Sequence, residues 1–252
     1  MPDLASLAFP AAAGLVGGAM NALAGGGTFA TLPALLALGL PANIANATSN
    51  VALLPGAAAS AWTFRDELGP IAKVAIPVLA AITFIGGLAG SLLLVVTPSD
   101  TFDILIPWLL LYALVILAFG RRAADWLSRR TTIGPRTLVV VQALLGVYGG
   151  YFGGGVGIMT TATYGLLGGV SPRDMFAART LMLALANLAA AIVFVAFAMV
   201  AWDRCAPMLV GGALGGWLGA LLGRRLSPGL VRGWTLLVTA ATTAAFFWRA
   251  YG

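Results

Sequence analysis

The sequence has no histidine, one cysteine and few charged residues, and each scarcity excludes a class of protein. Without histidine, the chain lacks the usual proton shuttle at physiological pH and the commonest transition-metal ligand. Because Cys205 stands alone, the chain can form neither an internal disulfide framework nor a cysteine metal cluster. Charged residues make up 9% of the 252 residues, compared with roughly 25% in soluble domains. An ordinary soluble domain is therefore excluded, and we expect no metal and no cofactor.

Apolar segments make up most of the chain. Hydrophobic residues account for 60% of it, and apolar runs of about 18 residues or more are typical of membrane helices. The net charge of +6 does not indicate a nucleic-acid partner, because the arginines lie at the ends of apolar segments and form no basic face. The start of the chain has no basic segment, so we expect no cleaved signal peptide. The composition predicts an all-α polytopic protein in the lipid bilayer, with segments near 5–24, 27–40, 44–64, 70–96, 103–120, 137–152, 155–169, 173–201, 205–223 and 230–248.

The two halves of the chain resemble each other. Matching residues recur at separations of 128 to 132, with the two proline pairs both at 130. We interpret these matches as an internal duplication, which divides the chain into an N-terminal transmembrane repeat (1–120), a cytoplasmic loop (121–136) and a C-terminal transmembrane repeat (137–252). The matched groups are Gly14, Gly17 and Gly18 with Gly146, Gly149 and Gly150; Gly25–Gly27 with Gly153–Gly155; Thr48 with Thr180; and Pro77, Gly86 and Pro98 with Pro207, Gly216 and Pro228.

The basic residues predict that the halves have opposite orientations. The loops at 121–136 and 224–232 hold 8 of the 14 basic residues, so both are expected in the cytoplasm. The loop at 65–73 then lies inside, while its counterpart at Asp203–Arg204 lies outside. Equivalent loops on opposite sides require an odd number of crossings per half and hence inverted repeats. Both termini are then expected outside, and Arg249 fits that placement poorly.

Two segments, 27–40 and 155–169, are too short for a full crossing, because 14 residues of helix span only about 21 Å. Each is expected to form a broken-helix or re-entrant element, or a tilted helix, with the segment before it. We therefore predict about 8 spans, in a range of about 6 to 10.

Two glycine triplets interrupt the apolar sequence. Each glycine costs a helix roughly 1 kcal/mol relative to alanine, and a break at membrane depth is tolerated only inside protein or beside a cavity. Helices that begin just after the triplets would present free N–H groups and positive dipole ends, which bind anions. We predict a small-anion site near the midplane; the alternative is close helix packing through small residues. The triplets are Gly25, Gly26 and Gly27, and Gly153, Gly154 and Gly155.

Amide and hydroxyl side chains flank the triplets, and such donors could coordinate oxyanion oxygens at lower cost than a buried ion. Capping and helix–helix hydrogen bonding are the alternative roles, and they remain open. Two further amides, Asn43 and Asn46, are interpreted as loop or N-cap groups. The side chains selected as candidates are Asn21, Thr28, Thr48, Asn50 and Thr180.

One arginine lies within an apolar segment. Arg179 is about two turns into segment 173–201, and an arginine inside the membrane costs at least about 2.5–3.5 kcal/mol. It must therefore face a cavity, an acidic partner or the interface. Its guanidinium could hold an oxyanion through two parallel hydrogen bonds. Pairing with Asp174 or extension to the interface is the alternative.

The chain resembles the TauE/SafE family of sulfite exporters over essentially its whole length. The resemblance implies a plasma-membrane permease of bacterial type with seven or eight spans and duplicated halves, and it implies sulfite or organosulfonates such as sulfoacetate as cargo. The second motif lacks the asparagine that precedes the first triplet, so the two sites are expected to be asymmetric. The matching stretches are Gly18–Gly27, Leu32–Leu36, Leu38–Pro41 and Ala47–Asn50 in the first half, and Tyr151–Gly155, Gly169–Pro172 and Ala177–Thr180 in the second.

The function predicted from the sequence is secondary transport of a small anion by alternating access, in the inner cell membrane and without enzymatic activity. A transporter of an unrelated solute is the alternative. An intramembrane enzyme acting on lipid is disfavoured, because no nucleophile–base motif is present. The cargo, direction, coupling ion and formation of a homodimer are left open.

Overall fold

The fold consists of α-helices that closely follow the apolar segments. The computed structural model describes residues 4–128, 134–165, 172–223 and 226–252. Within these ranges there are ten α-helices and a short 3₁₀ turn, Arg65–Glu67, with no strand beyond a single bridge between Ile71 and Val74. The helices are α1 Leu4–Ala24, α2 Thr28–Ala37, α3 Ala42–Thr63, α4 Ile76–Val96, α5 Ser99–Ser128, α6 Pro135–Tyr151, α7 Val156–Gly165, α8 Pro172–Ala196, α9 Trp202–Gly223 and α10 Pro228–Tyr251.

The helices fall into two length classes. In the described ranges, α2 and α7 have 10 residues each, and every other α-helix has 17 or more. Six of them, α1, α4, α5, α8, α9 and α10, are long and apolar enough to cross a membrane. Helix α3 has 22 residues but carries a polar run, and α6 has 17. The figure of about eight spans stays a prediction.

Both glycine triplets interrupt helices, as the sequence predicts. Helix α1 ends at Ala24 and α2 begins at Thr28, while α6 ends at Tyr151 and α7 begins at Val156. The first glycine of each triplet has a left-handed backbone, with φ of +79° at Gly25 and +75° at Gly153. Other residues adopt this conformation at a cost of roughly 1–2 kcal/mol, so glycine is the residue that allows each chain reversal.

Helices pair across the two halves. Helix α1 packs along α9, and α6 packs along α4; α3 contacts α9, and α8 contacts α4; α10 contacts α2, and α5 contacts α7. Glycines permit the closest of these approaches, because Gly18 of α1 lies against the backbone of α9 at Gly212, and Gly90 of α4 lies against the backbone of α6 at Val147. These six contacts form three pairs, in each of which the second contact matches the first with the halves exchanged.

Helices α3 and α8 form an antiparallel pair in the interior. Phe64, just after α3, packs edge-on against Phe176 near the start of α8, with ring centroids 4.7 Å apart. At the opposite end, the backbone N–H of Ala201 donates to the hydroxyl of Thr48 at 3.1 Å. Most side chains of the α8 span are buried, in contrast to those of α5 and α10. The two breaks therefore pack around this central pair.

A buried hydrogen-bond network holds the short helix α7 in place. The Tyr164 hydroxyl donates to Oε1 of Gln142 on α6 at 3.0 Å, and Nε2 of Gln142 donates to the hydroxyl of Thr83 on α4 at 2.8 Å. All three side chains are fully buried. Because the three side chains are hydrogen-bonded to one another, the network fixes α7 against α6 and α4 and leaves none of the three side chains without a partner.

Apart from Arg179, most charged residues of the described ranges lie near the helix ends. Arg249 of α10 bonds Asp103 of α5 at 3.1 Å, so an acidic partner accompanies the arginine that fits poorly with an outside terminus. Helix α5 continues to Ser128 through part of the region expected to be a loop. Residues 129–133, 166–171 and 224–225, including arginines used to predict orientation, lie outside the described residues.

Candidate functional site

The two helix breaks meet in the interior of the protein. A Cβ atom built on Gly25 would lie 2.5 Å from Cα of Gly157, so the two backbones are in direct contact. The ring of Phe29 lies between the triplets, 3.0–3.3 Å from the positions that Cβ atoms on Gly26, Gly154 or Gly155 would occupy. The predicted convergence of the triplets on one region is thus present in the geometry.

The first break is organised by its own side chains. The N–H of Gly25 donates to the carbonyls of Met20 and Asn21, at 3.2 and 2.8 Å, and so closes the end of α1. Oδ1 of Asn21 accepts from the N–H of Gly27 at 3.4 Å. The Thr31 hydroxyl donates to the Gly27 carbonyl at 3.2 Å. The first turn of α2 is therefore held against the last turn of α1.

Arg179 reaches the first break from α8. Its guanidinium donates to the carbonyls of Ala22 at 3.2 Å and Leu23 at 3.5 Å, which belong to the last turn of α1. The guanidinium carbon also lies 4.2 Å from the centre of the Phe176 ring. A cation at the negative end of a helix dipole is stabilising. Arg179 is 6% exposed, so its charge is held inside the protein beside the break.

Asn46 occupies the corresponding place at the second break. Nδ2 of Asn46 on α3 donates to the carbonyl of Tyr151 at 3.1 Å. Tyr151 precedes Gly153 by two residues, as Leu23 precedes Gly25. The interpretation of Asn46 as a loop or N-cap group is therefore wrong, because its side chain bonds a helix 105 positions away in the chain. By contrast, Asn43 does bond near its own helix start, to the N–H of Ile44.

Asn50 lies directly beside the second triplet. Its Nδ2 atom is 2.9 Å from the position that a Cβ atom on Gly153 would occupy. Asn50 follows Asn46 by four residues, so both side chains lie on one face of α3. Asn50 lies eight residues after the start of α3, and Arg179 lies seven residues after the start of α8. These distances are about 12 and 10 Å along the helices. Because α3 and α8 are antiparallel, the two starts lie at opposite ends of the pair.

Several buried polar atoms in this region have no hydrogen-bond partner. Buried donors and acceptors are nearly always satisfied, and each exception requires an explanation such as a ligand or a water molecule. Of the buried side-chain atoms in the described ranges, the unpaired ones are Nδ2 of Asn21, Oδ1 of Asn46, both Nδ2 and Oδ1 of Asn50, Oγ1 of Thr160, Nε of Arg179 and Oγ1 of Thr239.

Three other candidates selected from the sequence are buried in or near the same helices. The Thr48 hydroxyl accepts from Ala201 at the turn between α8 and α9. The Thr180 hydroxyl donates to the carbonyl of Ala177 in its own helix. Thr28 is the first residue of α2 and is buried. The structure therefore places the Thr48 and Thr180 hydroxyls in backbone hydrogen bonds, whereas Asn21, Asn50 and Arg179 retain unpaired atoms.

Two residues of the site are missed by the sequence analysis. Asn46 could have been found, because it lies one helical turn before the candidate Asn50. Phe29 carries no polar signal in the sequence, and its position between the triplets follows only from the packing. Because the candidate residues are all below one-tenth exposed, the site is buried in this conformation.

The fold and the site define a class of protein: a multi-pass helical membrane protein whose two interrupted helices meet inside the bundle. The chain belongs to the sulfite exporter TauE/SafE family, which it matches over residues 10–246. The resemblance noted from the motifs is confirmed by this match. The family is described as one of sulfite exporters, and the relatives below are described as probable membrane transporters.

Three relatives are similar to the chain over most of its length and most of their own. The probable membrane transporter protein YfcA of Escherichia coli strain K12 is 27% identical over 244 residues, covering 94% of this chain and 88% of the relative. A probable membrane transporter protein of Haemophilus influenzae strain Rd is 28% identical, with coverage of 96% and 94%. The probable membrane transporter protein ORF9 of a Sinorhizobium species is 31% identical over 231 residues, with coverage of 89% and 85%. No solved structure matches the chain significantly.

Proposed function

We propose that the chain is a secondary permease of the inner cell membrane that carries a small anion, with sulfite or an organosulfonate such as sulfoacetate as cargo. The observation that carries this proposal is the meeting of two helix breaks in a buried region that contains unpaired polar atoms. Family membership supports the cargo class.

The chemistry of the breaks suits an anion. Helices α2 and α7 begin at Thr28 and Val156, where their first N–H groups and positive dipole ends point toward the triplets. The unpaired Nδ2 atoms of Asn21 and Asn50 and Nε of Arg179 are further donors. Such donors stabilise an anion with only one formal positive charge nearby, so binding stays reversible.

The arrangement of helices supports two inverted repeats. Six contacts between the halves form three exchanged pairs, and the equivalent helices α3 and α8 are antiparallel. In transporters built this way, the substrate site lies at the repeat interface near the midplane, and one bundle moves against the other to expose it on alternate sides. The closed site is then an occluded state of the transport cycle.

The membrane potential supplies one driving force. An inside-negative potential favours the exit of an anion by about 2.3 kcal/mol per charge per 100 mV. Export therefore needs no further energy source when the cargo accumulates inside, whereas import against the potential requires either a much higher outside concentration or a coupled ion.

A flux measurement tests the proposal. The purified chain in liposomes is expected to move labelled sulfite or sulfoacetate faster than protein-free liposomes do, with sulfate as a competing anion. We expect Gly26→Leu to stop the flux, because a side chain there would meet the Phe29 ring at 3.0 Å. Gly229→Leu at the start of α10, where an added Cβ meets nothing within 4 Å, is the matched control.

The outcomes separate this proposal from its rivals. Flux of a neutral or cationic solute, with no flux or binding of any anion, would favour a transporter of another class. Conversion of a lipid phosphate in detergent would favour an enzyme. Equal anion flux in Gly26→Leu and Gly229→Leu would show that the first glycine triplet does not line the transport pathway.

A further inference from the structure

Two buried side-chain oxygens of α3, in residues beside the second break, have no hydrogen-bond donor. In the described ranges, Oδ1 of Asn46 and Oδ1 of Asn50 are both buried and unpaired. The two residues are 1% and 2% exposed, respectively. They lie four residues apart on α3 and therefore project from the same face of that helix.

The orientation of the Asn46 amide is fixed by its neighbour. A carbonyl oxygen can only accept a hydrogen bond, so the amide nitrogen of Asn46 must face the Tyr151 carbonyl, at 3.1 Å. Oδ1 of Asn46 is consequently the atom that remains without a partner. It is an acceptor beside the negative end of a helix dipole, where additional acceptors are unfavourable unless a cation or a donor is present.

The first break shows how such a helix end is neutralised. The carbonyl of Leu23, at the equivalent position of α1, receives the guanidinium of Arg179. At the second break, the side chain that bonds the Tyr151 carbonyl is the neutral amide of Asn46. One break therefore contains a permanent cation, while the other presents oxygens with no positive charge among the described side chains that contact it.

We propose that a sodium ion binds at the end of α6, coordinated by Oδ1 of Asn46, Oδ1 of Asn50 and backbone carbonyls of the break, and that it is co-transported with the anion. Only the co-transport rests on the proposed function; the sodium site itself does not. Helix ends and interrupted backbone carbonyls are the usual ligands of coupling sodium ions in transporters with broken helices, and oxygen is the donor that hard cations prefer.

A proton does not suit this position. Amide and carbonyl oxygens do not titrate at physiological pH. The acidic side chains that the structure describes, at Asp66, Glu67, Asp100, Asp103 and Asp203, lie at the ends of the helices. The site therefore requires an intact cation rather than a proton.

The cation and the anion would bind on the two sides of one break. The carbonyl end of α6 attracts the cation, and the N-terminal end of α7, five residues further along the chain, attracts the anion. Opposite charges in a region of low dielectric stabilise each other strongly. Binding of one ion is then expected to raise the affinity for the other, which couples their transport.

Sodium binding can be measured without any anion substrate. The melting temperature of the purified chain in detergent is compared in NaCl, KCl and choline chloride at equal ionic strength. We expect NaCl to raise the melting temperature by about 3 °C or more above choline chloride. The shift is expected to vanish in Asn50→Leu and to grow in Asn50→Asp, which supplies a carboxylate at the same place. Thr235→Val, which removes a hydroxyl bonded within α10, is the control and should keep the full shift.

Coupling is then tested in liposomes. We expect an inward sodium gradient to accelerate anion uptake about tenfold relative to choline, corresponding to the coupling expected between linked sites, and Asn50→Leu should abolish this acceleration. Equal melting temperatures in the three salts would overturn the site, since a water molecule then satisfies the amides. A sodium shift that persists in both Asn50 variants at its wild-type size would place the ion elsewhere. A sodium shift without anion flux would leave the ion site standing and refute the proposed cargo.

Discussion

Arg179 has a strong structural reason to be in the membrane interior. It donates to two carbonyls of the last turn of α1 and packs over Phe176. Hydrogen bonds from charged groups contribute about 1.5–3 kcal/mol each, which is comparable to the cost of placing the residue there. Its unpaired Nε atom is a donor that an anion can use. If the chain carries an anion as proposed, the residue connects the stability of the first break with the affinity of the site.

Replacing Arg179 tests this connection. We expect Arg179→Gln to reduce anion flux about tenfold to a hundredfold, because α1 loses a charge-assisted bond of about 1.5–3 kcal/mol and the site loses its cation. Kinetic constants for flux in liposomes are the measurement. Arg232→Gln is the matched control, since Arg232 likewise bonds two consecutive carbonyls, at Leu117 and Ala118 of α5. Equal effects of both substitutions would show that Arg179 acts through general stability alone.

At the scale of single residues, the sequence singles out Arg179 as a candidate but does not identify the groups that it contacts. An arginine in an apolar segment is costly to place in a membrane, so its presence alone indicates a structural or functional role. The atoms that it bonds lie 156 and 157 positions away in the chain. Such a pairing depends on the contacts between the halves, which hydropathy does not encode. The contact of Asn46 with the Tyr151 carbonyl likewise joins the two halves.

At the scale of elements, the glycines differ in what they permit. Gly153 and Gly39 both have left-handed backbones, with φ of +75° and +82°. An added Cβ would lie 2.9 Å from the Asn50 amide at Gly153, but it would meet nothing within 4 Å at Gly39. An alanine would therefore be strained equally at the two positions. They differ only in whether its methyl group would displace a neighbour.

A pair of alanine substitutions separates these effects. Both Gly153→Ala and Gly39→Ala should lower the free energy of unfolding by roughly 1–2 kcal/mol, through backbone strain. Only Gly153→Ala is expected to abolish anion flux, because Asn50 must move. Thermal unfolding in detergent and flux in liposomes provide the two readouts. Full anion flux in Gly153→Ala would show that Asn50 takes no part in transport.

Helix boundaries were largely predictable, whereas helix partners were not. The segments expected near 5–24 and 205–223 correspond to α1 Leu4–Ala24 and α9 Trp202–Gly223, because length and apolarity determine which residues can be helical in a membrane. Hydropathy does not specify that α1 packs on α9. That choice depends on which glycine faces fit each other, as at Gly18 and Gly212.

At the scale of the whole molecule, the inverted arrangement predicts a difference between two equivalent loops. Asp66 follows α3, and Asp203 follows α8. Their side chains are 81% and 70% exposed. If the halves are inverted, these loops lie on opposite sides of the membrane.

Cysteine labelling tests the orientation. The native Cys205 is fully buried, so an impermeant maleimide should leave the unmodified chain unlabelled in spheroplasts. We expect Asp203→Cys to be labelled from outside, and Asp66→Cys to be labelled only after permeabilisation. Replacing Cys205 by alanine in both variants controls for its exposure on opening. Labelling of both positions from the same side would contradict the inversion.

The pairing of α1 with α9 has a consequence for how the protein is made. The glycine face of α1 leaves the ribosome almost 200 residues before the helix that will cover it. Until then that face remains against lipid or against the insertion machinery, and the same holds for α4 as it waits for α6. Neither half contains all of its native neighbours, so α4 can be covered once α6 is made, whereas α1 can be covered only after α9 has been made.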